Sequence, residues 1–338
     1  MNILSKQFLI QTAPAEVYEA YYINNGTITL LGDVTDLSKT FAPQDEFIYS
    51  NLFVYEGDIY YNAIKSSNSL TWDIKCLSGR TTSTSYYVFG IHEFPYGDEL
   101  MIYQPDSNGD LYLDTSKSGP WYKVCGYASG RTVGFAEKGD GLYYVRTSVS
   151  RISTLTNWTK ITGYGNTSNA NYYGYGINNG ALYYLYANGN GVVQQGTDTT
   201  WTDITGSYEN GSWHGYGINA GKLYALSGTP TQIGSATNWT KVSGTAYTSG
   251  TARSLGINDG KLYTIYGTTA TQVGSSTDWK DCSGYCGSTA KGLAYNSTAL
   301  YGISRDGTTT KLMDGDFVYC GENYDSDAYA VAIRRVYR

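Results

Sequence analysis

The amino-acid sequence predicts an all-β fold, a single-ring β-propeller of eight four-stranded blades. Three observations predict it. The phrase Gly-Ile-Asn-x-Gly-Lys-Leu-Tyr, followed by Thr-Gln-x-Gly and a tryptophan, occurs twice, and its tryptophans, Trp239 and Trp279, stand 40 residues apart. Within each copy, short runs of strand-forming residues alternate with turns rich in Gly and Asn. No stretch has the sustained period of 3.6 residues that is typical of an amphipathic helix.

Composition agrees with strands and loops. The chain of 338 residues has 41 Gly, 36 Tyr and 6 Pro, and 15% of its residues are charged. A net charge of −6 and the absence of a basic stripe argue against a nucleic-acid partner. No run of 18 apolar residues is present, so we expect no membrane insertion. No secretory signal is visible, and the sequence predicts a product that is synthesised in soluble form.

An aromatic marker, usually preceded by Asn, Asp or Thr, recurs along the chain with a mean spacing of 40 residues. Its eight occurrences, one of them degenerate, predict eight blades. We expect these side chains to pack between neighbouring blades, as structural residues of the repeat. The markers are Leu37, Trp72, Trp121, Trp158, Trp201, Trp239, Trp279 and Phe317.

Each repeat unit is predicted to contain four short strands. In the best preserved unit they are residues 254–257, 261–266, 270–274 and 279–283, so that the tryptophan strand ends the blade. Asn258-Asp259-Gly260 predicts a hairpin turn, because Asn and Gly tolerate positive φ, and residues 178–180 and 219–221 repeat it. One such unit is too small to fold alone, whereas a ring of units buries a core and protects its edges.

The two ends of the chain are predicted to close this ring. Residues 15–338 form the propeller, and the C-terminal strand, residues 328–338, joins the N-terminal blade. In that blade we expect residues 328–333 as the inner strand, 17–23 as the second, 27–31 as the third and 36–40 as the fourth. Residues 1–14 are left over as an extra strand or an attachment segment.

The segment from Thr229 to Gly244, which follows Gly221-Lys222-Leu223-Tyr224, resembles the repeat of the regulator-of-chromosome-condensation superfamily. Bacterial and phage members of that family carry a similar Pro-Thr-Gln-Ile-Gly phrase before Trp and Val-Ser-Gly. The resemblance implies a β-propeller, and because that family commonly has seven blades, seven is the alternative count. The His-Thr that usually precedes the inner strand is missing here, so the chromatin and GTPase roles of the eukaryotic members are not carried over.

The sequence contains no recognisable catalytic or cofactor motif. It has no nucleophile elbow, no phosphate loop, no His-Glu-x-x-His and no calcium loop. The two histidines, His92 and His214, and the lone Cys282-x-x-x-Cys286 do not make a zinc site. We therefore expect a protein that is not an enzyme and that holds neither a cofactor nor a metal.

Aromatic residues recur in the connections that follow the tryptophan strands. These connections are predicted to lead from one blade to the next and to emerge on one face, which would form a ring of aromatic side chains around one mouth of the channel. Aromatic rings with Asn, Ser and Thr around them suit a sugar or a protein partner. The candidate binding residues are Tyr127, Tyr164, Tyr172, Tyr208, Trp213, Tyr247 and Tyr285.

The sequence therefore predicts a non-enzymatic binding or structural module. We expect a phage virion component, a tail or fibre protein, that contacts a host-surface glycan or another virion protein. Its location would be the virion or the cell surface, and its oligomeric state is left open. One alternative is a lectin-like or scaffold propeller of a bacterium, and another is a polysaccharide hydrolase or lyase built on a propeller.

Overall fold

The computed structural model describes residues 15–24, 27–34, 52–55, 58–63, 73–76, 88–94, 97–105, 111–113, 123–128, 132–145, 149–165, 172–186, 191–209, 212–248, 251–286, 291–321 and 329–338. Across these ranges the regular structure is entirely β, with no helix. The prediction of an all-β fold is confirmed for this part of the chain.

The strands are β1 (Glu16–Asn24), β2 (Thr27–Val34), β3 (Leu52–Tyr55), β4 (Asp58–Ala63), β5 (Asp73–Cys76), β6 (Val88–Phe94), β7 (Gly97–Pro105), β8 (Leu111–Leu113), β9 (Lys123–Ala128), β10 (Thr132–Lys138), β11 (Gly141–Val145), β12 (Val149–Ser153), β13 (Trp158–Gly165), β14 (Tyr172–Asn178), β15 (Ala181–Tyr186), β16 (Gly191–Gln194), β17 (Trp201–Glu209), β18 (Ser212–Asn219), β19 (Lys222–Ala225), β20 (Thr231–Gln232), β21 (Trp239–Thr248), β22 (Thr251–Asn258), β23 (Lys261–Tyr266), β24 (Thr269–Gln272), β25 (Trp279–Cys286), β26 (Lys291–Asn296), β27 (Ala299–Ile303), β28 (Thr309–Asp314), β29 (Asp316–Gly321) and β30 (Tyr329–Tyr337).

The described strands form six antiparallel sheets of four strands. Five of them consist of consecutive strands, namely β9–β12, β13–β16, β17–β20, β21–β24 and β25–β28, and the sixth has the order β29-β30-β1-β2. Two further sheets, β3–β5 and β6–β8, contain three described strands each. The first strands β9, β13, β17, β21, β25 and β29 contact one another in that order. Sheets arranged in this way, joined through their first strands, are the blades of a β-propeller.

The predicted division of the repeat into blades was wrong by one strand. Trp239 begins β21 and pairs with Asn258 of β22, so the tryptophan strand is the first strand of its own blade and not the last strand of the preceding one. The same pairing joins Trp201 to Asn219. The physical reason is that the tryptophan strand β25 continues past its predicted end at residue 283, through a register shift between Ser283 and Cys286, and pairs with the next strand, β26.

One sheet is built from both ends of the chain. β30 pairs with β1 over its whole length, and the backbone N–H groups of Ala15 and Arg338 each donate to the other residue's carbonyl, at 2.7 and 3.0 Å. The roles expected for these segments were wrong by one place, because β30 is the second strand, β1 the third and β2 the fourth. The strand expected at 36–40 and the segment 1–14 lie outside the described residues.

Charged side chains reinforce this pairing. Glu19 is buried on β1, where its carboxylate accepts hydrogen bonds from Tyr21 and Arg338 and, at 2.7 Å, from Arg334. The hydrogen bond from Tyr21 is the largest influence on the Glu19 carboxyl, and with the two arginines it holds the pKa of Glu19 below its ordinary value of 4.5. The ionised form of Glu19 therefore stabilises the sheet in which the two ends meet.

The repeat aromatics that the structure describes are buried between neighbouring sheets. Trp239 is 5% exposed and packs against Ile218 and Leu223 of the preceding sheet, and Phe317 packs in the same way against Leu293. Dispersion and burial at these contacts join each blade to the next. The buried markers are Trp158, Trp201, Trp239, Trp279 and Phe317, while Leu37, Trp72 and Trp121 lie outside the described residues.

The glycine of the repeated Gly-Ile-Asn phrase makes room for the indole. A Cβ at Gly256 would lie 2.9 Å from Cζ3 of Trp239, so the ring crosses the second strand over this glycine. It then meets Tyr263 of the third strand, with ring centroids 4.9 Å apart. The repeat phrase thus encodes a tryptophan, a glycine and a tyrosine side by side on three strands. The equivalent sets are Trp158, Gly176 and Tyr183, and Trp201, Gly217 and Tyr224.

The predicted hairpin turns between second and third strands are confirmed. Asp259 and Gly260 have φ of 49° and 69°, as a two-residue turn with both central residues in the left-handed region requires. Asn179 has φ 50°, and Ala220 has φ 48°. Asn and Asp adopt this conformation more readily than Ala does, so Ala220 is the strained member of the set.

Alternating charges connect the first strands. The residue two places after each tryptophan is Lys160, Asp203, Lys241 and Asp281 in successive sheets. The Lys160 ammonium lies 2.7 Å from the Asp203 carboxylate, and both side chains are buried. The other Asp203 oxygen accepts from the backbone N–H of Val242 at 2.8 Å, and Lys241 pairs with Asp281 at 3.3 Å. Charged and hydrogen-bonded contacts therefore run across four consecutive blades.

Candidate binding face

Each four-stranded sheet has two ends with different connections. Because the strands run alternately up and down, the hairpins from first to second strand and from third to fourth strand lie at one end. We call this end the hairpin face. The turns from second to third strand and the links to the next blade lie at the other end, which we call the turn face. Ala15 and Arg338 lie at the turn face.

All seven candidate binding residues belong to strand ends at the hairpin face. Tyr208 and Trp213 are cross-strand partners in one hairpin, and Tyr164 is opposite Tyr173 in the hairpin of the preceding sheet. The structure describes the backbone of these residues and not their side chains. The seven positions are Tyr127 in β9, Tyr164 in β13, Tyr172 in β14, Tyr208 in β17, Trp213 in β18, Tyr247 in β21 and Tyr285 in β25.

The connections that carry these aromatics differ from the prediction. They were expected to lead from one blade to the next, and the pairing shows that they are hairpins within a blade. The reason is the extended first strand described above. Equivalent hairpins of successive blades lie at the same end of the ring, and the aromatic residues of these blades therefore lie at that end too.

The turn face has a different composition. Its described turns and links consist mainly of small and polar residues, with the apolar Leu155, Ile233 and Val273 turned inward, and none of them contains an aromatic residue. Some of their side chains bond to one another, as when Asn219 donates to Asp198 at 3.0 Å. At the described strand ends, the turn face carries the buried repeat tryptophans Trp158, Trp201, Trp239 and Trp279 and the exposed Tyr337. The described loops of the turn face contain no aromatic residue.

Buried tyrosines form hydrogen bonds with loops of the hairpin face. The Tyr175 hydroxyl donates to the carbonyl of Leu226 in the neighbouring blade at 2.5 Å, and Tyr216 bonds to the backbone of Gly267 in the blade after that. Burial raises the pKa of both hydroxyls well above the ordinary value of a tyrosine. These groups stay neutral at physiological pH and fix the loops between third and fourth strands.

A cation and an aromatic ring meet on this face. The guanidinium of Arg253 in β22 lies 4.0 Å from the ring centroid of Tyr266 in β23, and the Tyr266 side chain is 44% exposed. Nη1 of Arg253 also reaches the carbonyl oxygen of Arg305, in the next blade, at 3.5 Å. This stacking holds the guanidinium in one orientation at the rim of the blade.

Sequence reasoning did not single out Arg253 or Tyr266. The strand register makes them partners, and register is not visible in the repeat period. The sequence did contain a weaker sign of a basic site. His214, Arg253 and Lys291 occupy equivalent positions of the repeat in three consecutive blades.

Within the described ranges, no group of three or more His, Cys, Asp or Glu side chains is arranged to hold a metal ion. The described part of the chain also contains no helix of the length and apolarity needed to cross a membrane.

No protein-family model and no curated protein sequence matches this chain. Its structure is similar to the Dos1 propeller, at 9% identity and a TM-score of 0.49 over 86% of this chain and 94% of that one. It is also similar to dipeptidyl peptidase 4 of Porphyromonas gingivalis, at 11% identity and a TM-score of 0.49, over 85% of this chain and 56% of the peptidase.

A third similarity is to an inactive variant of virginiamycin B lyase from Staphylococcus aureus, at 10% identity and a TM-score of 0.45, over 73% of this chain and 94% of the lyase. The β-propeller assignment rests on the sheet topology of this chain. Nothing about activity follows from similarities of this size, and the resemblance to the regulator-of-chromosome-condensation superfamily stays a prediction.

Proposed function

We propose that this protein is a non-enzymatic binding module whose hairpin face contacts a glycan on a host surface. The observation that carries the proposal is the asymmetry of the blades. Aromatic residues end the first or second strands of five successive blades at the hairpin face, while the described loops of the turn face have none. Tyrosine and tryptophan supply contact area at low entropic cost, and their polar atoms bond to sugar hydroxyls.

We further propose that the ring has eight blades and that the protein is a component of a phage virion. The eight repeat markers support the blade count, and the phage-like repeat phrase supports the virion. Immunogold labelling of particles purified from the source of the gene tests this assignment. We expect labelled tails or fibres. Particles that carry no label and do not contain the chain would contradict the assignment to the virion.

The binding face is tested with a triple variant, Tyr164→Ala, Tyr208→Ala and Trp213→Ala, on an array of neutral and acidic glycans. We expect the wild type to bind a subset of the glycans and the variant to lose that binding at an unchanged melting temperature. The matched control replaces three exposed residues of the turn face, Ser235, Thr237 and Ser275, by alanine and should bind like the wild type.

Two outcomes would contradict the proposal. Undiminished glycan binding by the folded hairpin-face variant would move the binding site elsewhere. A wild type that binds no glycan, but whose hairpin face is needed to bind another virion protein, would replace the glycan by a protein partner.

A further inference from the structure

We propose that the hairpin face selects glycans that carry a carboxylate, and that Arg253 is the residue that recognises this group. The inference rests on the proposed function, because it names the ligand class of the same face. Two observations support it: the Arg253 guanidinium has no carboxylate partner among the described residues, and basic residues recur at equivalent positions in the neighbouring blades.

Arg253 is held in position without a carboxylate partner. Its guanidinium stacks on Tyr266 and reaches the carbonyl of Arg305, and no described Asp or Glu lies within ion-pair distance of it. Its Nε is buried and has no hydrogen-bond partner among the described residues. By contrast, several basic residues elsewhere have acidic partners, namely Arg151, Lys160, Lys241, Lys311, Arg334, Arg335 and Arg338.

Basic residues repeat at this position of the fold. His214 in β18, Arg253 in β22 and Lys291 in β26 occupy equivalent positions in the second strands of three consecutive blades, each five residues before the asparagine that ends the strand. Arg305 adds a fourth basic residue from the neighbouring loop between β27 and β28. The backbone thus brings an arc of basic residues to the hairpin face of a chain whose net charge is −6.

Two acidic residues of the described ranges lie on this part of the face, Asp306 and Glu209. The Asp306 carboxylate is bonded within its own loop, where it accepts from the Ser304 hydroxyl at 2.5 Å and from the backbone N–H of Thr308 at 3.0 Å. Glu209 ends β17, in the sheet of His214, and is not in the sheets of Arg253 and Lys291. An anionic ligand group would meet a favourable potential at Arg253.

The geometry favours a carboxylated sugar over other ligands. A guanidinium presents a planar set of donors that fits a carboxylate with two parallel hydrogen bonds. The half-exposed Tyr266 ring offers a flat apolar surface for a sugar ring. Uronic and sialic acids carry a carboxylate and a sugar ring in the same monosaccharide.

The test uses oligomers of galacturonic acid, glucuronic acid and sialic acid, each as the free acid and as its methyl ester, with binding measured by calorimetry. The wild type should bind at least one free acid more tightly than its ester. Arg253→Gln should weaken binding of that acid about tenfold or more and leave the ester unaffected. The affinity of Arg253→Lys for the acid should lie between those of the wild type and Arg253→Gln, because lysine keeps the charge and lacks the planar donors.

Lys261→Gln is the matched control. It removes one positive charge from the same blade, but at the turn-face end of β23, and should bind like the wild type. Equal affinity for acids and esters, or unchanged binding by Arg253→Gln, overturns the inference, and so does a wild type that binds only sulfated glycans or polyglutamate. If the aromatic triple variant loses binding while Arg253→Gln does not, the proposed function stands and the carboxylate inference fails.

Discussion

The buried pair of Lys160 and Asp203 offers a quantitative test of how the blades are joined. Asp203 accepts three hydrogen bonds, from the Lys160 ammonium at 2.7 Å and from the backbone N–H groups of Ile204 at 3.0 Å and Val242 at 2.8 Å. Asp203→Ala removes both acceptor oxygens, and with them all three hydrogen bonds, and leaves an ammonium and two N–H groups in a buried site. Lys160→Met removes one donor, and the carboxylate keeps two.

The two changes should therefore differ in magnitude. Removing one partner of a buried ion pair typically costs 3–5 kcal/mol, and each buried donor without an acceptor adds about 1–3 kcal/mol. We expect Lys160→Met to lower the free energy of unfolding by about 3 kcal/mol, since the carboxylate keeps two N–H donors. Asp203→Ala should lower it by about 5 kcal/mol or more, because two N–H groups also lose their acceptor. The measurement is urea unfolding followed by tryptophan fluorescence, since Trp201 and Trp158 begin the same two strands.

An exposed pair of similar length provides the control. Lys311 and Asp314 lie 2.9 Å apart with side chains 54% and 76% exposed, so Lys311→Met should change the free energy of unfolding by less than about 1 kcal/mol. The reasoning is refuted if Lys160→Met is as costly as Asp203→Ala, or if neither differs from Lys311→Met.

Three further predictions concern single positions. Ala220→Asn should raise the free energy of unfolding by about 1 kcal/mol, because Asn tolerates φ of 48° better than Ala does, and an unchanged melting temperature would contradict this. Gly217→Ala should lower stability by about 1–3 kcal/mol, since its Cβ would lie 2.8 Å from Cζ3 of Trp201, and a stabilised variant would show that the indole is not fixed there. Glu19 has a lowered pKa in the folded state, so its stabilising contribution is present above about pH 4.5 and is lost as the pH falls through the folded-state pKa. In Glu19→Gln, the loss of melting temperature below pH 4.5 should be smaller than in the wild type, and identical pH profiles would refute the role of this carboxylate.

The repeat and its turns could be predicted from the sequence alone. The Trp239 and Trp279 phrases define the period, and the Asn and Gly residues between second and third strands determine left-handed turns whatever surrounds them. The tryptophan markers fill the space between blades because an indole is too large to stay exposed on so many repeats.

The starting point of the blade could not be read from the repeat. Four strands that recur in a circle can be divided at any strand, and the period is the same for each division. Strand alternation is interrupted by the register shift between Ser283 and Cys286, and this interruption made β25 look shorter than it is. Loop length held the missing information, since the hairpin between Thr248 and Thr251 is far shorter than the link from Gln272 to Trp279.

The candidate face was predicted only in part. The recurrence of aromatics after the tryptophan strand indicated one end of the ring, because equivalent positions of a repeat share one end. Arg253 and Tyr266 were missed, since their contact depends on cross-strand register and on the nearby loop of Arg305. The Lys160–Asp203 pair was missed for a related reason, as its partners stand 43 residues apart in different blades.

Hydroxyl-radical footprinting of the intact protein, with and without a bound glycan, tests the central claim most directly. It reports the solvent exposure of individual tyrosine and tryptophan side chains by mass spectrometry. We expect the ligand to protect peptides that contain the hairpins at 164–173, 208–213 and 247–252, and to leave the oxidation of Tyr337, an exposed tyrosine at the turn-face end of β30, unchanged. Protection of Tyr337, with the hairpins still oxidised at the rate of the free protein, would contradict a binding site on the hairpin face.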